Sequence, residues 1–301
     1  MNEHEYPDAE IDGDFDVIEA GEPAAPRAPA PLAADDTGTG KPRLCLMGEF
    51  SAGKSTLSNL LLGEAALPVN VTATQLPPIW ISHGDEAPYR VDLDGEEYEL
   101  DLERLTDVSV EDTSHIRIFR DAPFLEHCDL IDMPGISDPN MDADVWQRVL
   151  PMADMIVWCT HATQAWRQSE AAVWNTIAPG LQARSLLLLT RMDKILSERD
   201  RARVVKRVGR ETKGLFHGLF PISLTRAMAA GDDAGKWAES GAADFEEALL
   251  AQLGAIAEGR ADAAAEAAAA ATPDRVVMPA RIRPRPLAAR RTARTSGHDA
   301  A

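Results

Sequence analysis

The run Gly48-Glu49-Phe50-Ser51-Ala52-Gly53-Lys54-Ser55 has residue types spaced for holding a nucleoside triphosphate. Glycines at its two ends let the chain wrap tightly enough for successive backbone N–H groups, those of Glu49, Phe50, Ser51 and Ala52 among them, to face phosphate oxygens. The Lys54 ammonium is placed to reach the β- and γ-phosphates. The Ser55 hydroxyl is a hard oxygen ligand suited to Mg²⁺, and Thr56 follows it into a helix whose N-terminus adds partial positive charge. A lysine and a hydroxyl at the start of that helix make the match more than a glycine-rich turn.

Two later segments narrow the chemistry. Asp132-Met133-Pro134-Gly135 follows the apolar pair Leu130-Ile131. An aspartate at that strand end can hold Mg²⁺ through water, and the Gly135 N–H can face the γ-phosphate. Thr190-Arg191-Met192-Asp193 follows the run Leu186 to Leu189. A carboxylate there accepts both the N1–H and the N2–H₂ of guanine, a donor pair that adenine lacks, so Asp193 points to GTP and GDP. The Arg191 stem is long enough to cover the base plane. Between the first two elements, Thr74 is the candidate for completing the Mg²⁺ shell and sensing the γ-phosphate, with Thr72 in reserve. Ser223 and Leu224 are the candidates for the last loop on the base side. The catalytic set expected from these readings is Lys54, Ser51 and Thr74, and the metal set is Ser55, Thr74 and Asp132.

These residues need a scaffold, and the hydrophobic pattern supplies one. Arg43 to Met47, Met155 to Cys159 and Leu186 to Leu189 are short apolar runs of the kind found in buried parallel strands. Ile116 with Ile118, and Leu130 with Ile131, suggest two more strands, and Phe220 to Ser223 the last. Tyr89 to Leu100 alternates around Asp94-Gly95, the signature of a hairpin, and its acidity marks it as an edge decoration. Ser55 to Leu62 reads as a helix closed by Gly63, and helical patterns follow at 169–177 and 196–213. Phe245, Leu249, Leu250, Leu253 and Ile256 share one helical face. Strands alternating with helices predict an α/β P-loop NTPase domain with a mostly parallel central sheet flanked by helices. Trp158 reads as core, while Trp166 and Trp174 straddle a helix and are expected to pack.

Composition sets the outer bounds. The chain has 301 residues, 45% hydrophobic and 26% charged, which suits an ordinary globular protein. Cys45, Cys128 and Cys159 have no close pairing in sequence and read as buried reduced thiols. No apolar run approaches the roughly 20 residues that a membrane helix takes. With an acidic N-terminus unlike a secretory signal, the expectation is a cytoplasmic protein whose membrane contact is peripheral. The net charge of −19 is unevenly distributed. Residues 1–41 form an acidic leader rich in Pro and Ala, with eleven Asp or Glu and one Arg before Lys41. Residues 42–258 are the expected nucleotide-binding domain. Residues 259–301 continue as an Ala-rich helical stretch and then a tail with seven Arg after position 274. Both ends are expected to be disordered. The acidic body offers no broad basic face, which argues against nucleic acid as a partner. The tail is suited to anionic lipid, to a protein partner or to the leader itself.

Together the motifs resemble those of the dynamin-like GTPases, particularly the bacterial branch. The resemblance rests on Gly48 to Leu57 with Asn59-Leu60-Leu61-Leu62-Gly63, on Leu67-Pro68-Val69 leading to Thr74, and on the Asp132 and Thr190 segments. It covers about 43–225. It implies a GTPase that binds nucleotide loosely, forms a homodimer across the nucleotide face and is faster as a dimer. It also implies that Ser51 helps to stabilise the transition state. Phe50 stands where animal dynamins carry a glutamine and Ile136 follows Gly135, so turnover is expected to depend on a partner or on a monovalent cation such as K⁺. The long helical segments that flank such domains for membrane remodelling have no counterpart in the leader, and a pared-down switch is the expectation. Two other readings stay open: a GTP-loaded scaffold with negligible turnover, and a GTPase of ribosome assembly or RNA handling.

Overall fold

The computed structural model describes residues 40–63, 76–136 and 143–271. Its centre is a sheet in the order β4-β3-β5-β2-β6-β1-β7-β8-β9, nine strands among the described residues. Strand β1, Arg43–Gly48, lies between β6, Asp129–Asp132, and β7, Met155–His161, and is parallel to both. Beyond β7 come β8, Leu186–Thr190, and β9, Gly218–Pro221, again parallel. On the other side, β2, Ile79–His83, runs antiparallel to β6 and parallel to β5, Thr113–Arg120. The hairpin of β3, Tyr89–Asp92, and β4, Glu97–Glu99, closes that edge. Its turn is held by Asp92, whose Oδ1 accepts from the N–H groups of Asp94 and Glu96 at 2.9 Å each.

Alternation along β1 builds two cores. Leu44 and Leu46 face one side of the sheet, Cys45 and Met47 the other, and all four are buried. On the first side lie α1, Lys54–Leu62, α6, Leu224–Ala230, and the part of α8, Ala242–Ala271, up to Ile256. Phe245, Leu249, Leu253 and Ile256 of α8 are buried there, as their spacing predicts, while Leu250 stays partly exposed. The second side carries α2, Ala143–Val149, α3, Gln168–Trp174, α4, Pro179–Gln182, and α5, Glu198–Glu211. A short α7, Ala234–Glu239, follows α6. Residues up to Glu258 form one compact unit and those from Gly259 another, whose described part is the helical continuation to Ala271.

Three local readings differ from the structure. Strand β2 is not among the strands expected from the sequence, and it starts directly after Pro77 and Pro78. The last strand ends at Pro221 rather than Ser223, since the Ser223 side chain leaves the ladder to accept from the Arg226 N–H and cap α6. Helix α3 stops at Trp174, short of the expected Ile177. The three cysteines are free and buried, and burial raises each thiol far above its ordinary range. No described helix is long and apolar enough to cross a membrane.

Candidate functional site

The loop between β1 and α1 is shaped by close approaches. Gly48 has φ +139°, and a Cβ there would sit 2.1 Å from the Cys159 carbonyl oxygen on β7. Only glycine lets β1 and β7 stay in register as the chain turns. Ser51 and Gly53 adopt positive φ as well, at 60° and 100°. Lys54 opens α1, and its Nζ donates to the carbonyls of Gly48 and Glu49 at 3.0 Å each, so the ammonium lies within the curl of the loop. Ala52 is buried under the curl, whereas Phe50, Ser51 and Ser55 face outward and Thr56 is half-buried.

Opposite the lysine, Asp132 ends β6. Burial raises its pKa to about 6, and the nearby Lys54 pulls in the other direction. Burial likewise lowers the Lys54 amine, with Asp132 opposing. Each group is thus held toward neutrality and would regain full charge beside an ion of opposite sign. The Ser55 hydroxyl and the Asp132 carboxylate are both hard oxygens, the donor type that Mg²⁺ takes. Gly135 brings the following loop onto the phosphate loop: a Cβ there would lie 2.9 Å from the Cα of Phe50, and the Ile136 N–H donates to Gly48 O at 3.2 Å. Thr74 and Thr72 lie outside the described residues.

The base side assembles from β8 and the loop after β9. Thr190 is fully buried, and its hydroxyl lies 2.7 Å from Ala52 O and 3.1 Å from Thr160 O, which locks β8 to the phosphate loop. Arg191 has a φ of 57°. Its Nη2 donates to the carbonyl and hydroxyl oxygens of Ser51 at 2.7 and 2.8 Å. Asp193 accepts from the Ser223 hydroxyl at 2.9 Å, and Lys194 Nζ lies 3.6 Å from its other oxygen. Leu224 packs toward Gly53. Segments far apart in sequence therefore meet around one loop, with Lys54, Asp132 and Gly135 at one end and Asp193 and Ser223 at the other.

One cluster escaped the sequence reading. Glu170 is 2% exposed, and its carboxylate accepts from Trp158 Nε1 at 3.0 Å, Thr160 Oγ1 at 3.0 Å and the Arg167 N–H at 2.9 Å. Burial nonetheless leaves its pKa raised. The Arg167 and Ser169 side chains then reach Glu49 of the phosphate loop, at 3.0 and 2.5 Å. The only local signal is an arginine three residues before a glutamate at a helix start, which by itself reads as a cap.

An α/β sheet of this order, with its glycine loop between β1 and α1 and an aspartate after β8, defines the G-domain fold of the P-loop NTPases. Residues 44–192 match the model of the Dynamin family. Over 161 residues the chain is 29% identical to Dynamin-like protein 2 of Campylobacter jejuni, which covers 52% of this chain and 26% of that protein. It is 24% identical over 195 residues to "Probable transmembrane GTPase FZO-like, chloroplastic" of Arabidopsis thaliana, covering 62% of this chain and 19% of that one. The fold superposes on a member of an oligomerised bacterial dynamin pair with a TM-score of 0.54 at 19% identity, over 72% of this chain and 39% of that one. The chain thus spans 26% and 19% of the two curated relatives it matches.

Proposed function

We propose that this protein binds GTP with Mg²⁺ and hydrolyses it to GDP and phosphate, acting as a dynamin-like switch on a membrane surface or a protein partner. The observation that carries the reading is the convergence of Lys54 and Asp132 at the phosphate end with Asp193, steadied by Ser223, at the base end. In this reading Lys54 and the loop N–H groups from Glu49 to Ser55 bind the phosphates. Ser55, Thr74 and Asp132 hold the metal ion, which when bound neutralises charge on the β- and γ-phosphates. Thr56, Gly135, Thr190 and Arg191 complete the nucleotide shell. Ser51 supports the transition state, and residues 42–258 are the working domain. The dynamin pair with which it shares its fold is described as sensing and tethering membranes. That description motivates peripheral membrane contact and homodimerisation through the nucleotide face for this chain.

A scaffold reading draws on one observation. Phe50 is 58% exposed and apolar, and Ile136 follows Gly135, so neither position offers a group to orient water. Phosphate release from GTP decides between the two, with ATP and Lys54→Ala as controls, across protein concentration and in K⁺ or Na⁺. GTP-specific release that rises more steeply than protein concentration is expected. GTP binding without release at any concentration would leave the scaffold.

A further inference from the structure

The loop after β7 carries an arginine that the nucleotide-binding roles do not use. Its backbone is fixed, because the Arg167 N–H donates to the buried Glu170 carboxylate, itself held by Trp158 and Thr160. Its side chain is fixed too. Nη1 donates to Glu49 Oε2 at 3.0 Å, and Nη2 donates to Gln164 Oε1. Glu49 is the second residue of the phosphate loop, and its carbonyl accepts from Lys54 Nζ at 3.0 Å. The guanidinium is therefore held on the loop, while 46% of the Arg167 side chain stays open to solvent and only 13% of that of Glu49 does. Holding so flexible a side chain costs rotamer entropy, which an exposed ion pair scarcely repays. Fixing an arginine beside a phosphate loop does have a chemical use where neither Phe50 nor Ile136 offers a polar side chain to the transition state.

We propose that Arg167 is a catalytic residue, an arginine supplied by the chain itself to the transferring phosphoryl group, with Glu49 as the positioning residue that holds it ready. The proposal rests on the GTPase reading above. As water attacks, a bond forms between its oxygen and the γ-phosphorus, and the bond from that phosphorus to the β,γ-bridging oxygen breaks. GDP keeps the electron pair, and both protons of the water stay with the released phosphate as H₂PO₄⁻. Charge grows on the bridging and γ-oxygens during this step, and a planar guanidinium donates two N–H groups to such oxygens. In the resting protein the Glu49 carboxylate occupies Nη1 and the Gln164 amide oxygen occupies Nη2. The more highly charged phosphoryl oxygens compete for them as the reaction proceeds. Arg191 is held elsewhere on the loop, its Nη2 donating to the carbonyl and hydroxyl oxygens of Ser51.

The test compares wild type, Arg167→Ala, Arg167→Lys and Glu49→Gln in the full chain. The measurements are kcat, KM for GTP, the affinity for GDP alone, and the affinity for GDP in the presence of aluminium fluoride. An arginine that acts on the transition state is worth about 10³–10⁵ in kcat. Arg167→Ala should therefore lower kcat at least 100-fold and abolish the tightening of GDP by aluminium fluoride. Affinity for GDP alone should stay within about threefold, and Arg167→Lys should recover part of both losses. Glu49→Gln, which weakens the hold without removing the guanidinium, should lower kcat less than Arg167→Ala does. Retention of kcat and of the aluminium fluoride complex by Arg167→Ala would overturn the assignment. So would an equal loss of GDP affinity, which marks a structural role. Rescue of Arg167→Ala by added Lys54→Ala protein would also overturn it, placing the arginine across a dimer. A wild-type chain without turnover overturns the hydrolysis reading beneath this inference, whereas a wild-type chain that turns over GTP and an Arg167→Ala protein that does so equally well overturn this inference alone.

Discussion

At the scale of single residues, the phosphate loop was legible because each position there has a steric or chemical reason that sequence spacing exposes. Gly48 must be glycine because Cys159 O occupies the space of its Cβ, and Lys54 must open α1 to reach the curl of the loop. Side chains that act through distant partners were not legible in the same way. The carboxylate at Asp193 was visible, but its clamp by Ser223, thirty positions away, depends on where β9 ends. The length of the Arg191 stem was visible, but only the fold shows its guanidinium bonded to Ser51. The clamp has a measurable consequence for base selection. Asparagine at 193 keeps the Ser223 contact but loses the charge and one of two acceptors for guanine, and a hydrogen bond to a charged group is worth about 1.5–3 kcal/mol. Asp193→Asn should therefore reduce the preference for GTP over ATP by about 10- to 100-fold in competition binding. An unchanged preference would show that another residue reads the base.

At the scale of elements, strands were legible where apolar runs were uninterrupted and illegible where local chemistry misled. Strand β2 follows two prolines yet fills the gap between β5 and β6, because a buried sheet edge must be paired. The tryptophans at eight-residue spacing have an explanation only in three dimensions. Trp174 stacks on Phe216 at 4.0 Å and meets Trp158 edge-on at 5.3 Å, and Trp166 stands edge-on to all three rings. Helix α3 is thereby fixed between β7 and the start of β9, and with it the Arg167 end that reaches the phosphate loop. Trp174 is fully buried, so truncation leaves a large void and costs about 3–5 kcal/mol. Trp174→Ala should show that loss in denaturant unfolding. Because α3 bears Glu170 and Ser169, the same variant should also lose turnover at temperatures where it remains folded. Full activity in a destabilised Trp174→Ala protein would uncouple the aromatic cluster from the site.

At the scale of the whole molecule, stability against pH is set by buried groups that pull in opposite directions. His115 on β5 lies against Trp80 and near the Arg117 guanidinium, and burial, aided by Arg117, lowers its pKa to about 4. An unfolded chain binds that proton below about 6.5, while the fold refuses it until about 4, so His115 makes stability fall as pH drops through this window. Asp132 does the reverse. With its pKa raised from 3.8 to about 6, the folded chain holds the proton more tightly than the unfolded one, and stability is lost as pH rises through that window. Glu170, also raised, adds to the Asp132 side. The opposing slopes should leave the wild-type profile shallow between about pH 4 and 6.5. Removing the histidine exposes one side of the balance. Relative to wild type, His115→Phe should gain about 3 kcal/mol between pH 7 and pH 4 in urea unfolding, since the other groups cancel in the difference. His115→Gln, which keeps polarity but not the charge, should gain a similar amount. A difference that does not change with pH in either variant would mean that His115 is protonated as readily in the fold as in the unfolded chain. In that case Arg117 and burial at this end of the sheet would exert no hold on it. Adding GTP and Mg²⁺ supplies an independent check on the opposing carboxylate. A cation beside Asp132 favours its charged form, so the ligand should remove the Asp132 contribution and steepen the acid loss of the wild-type protein.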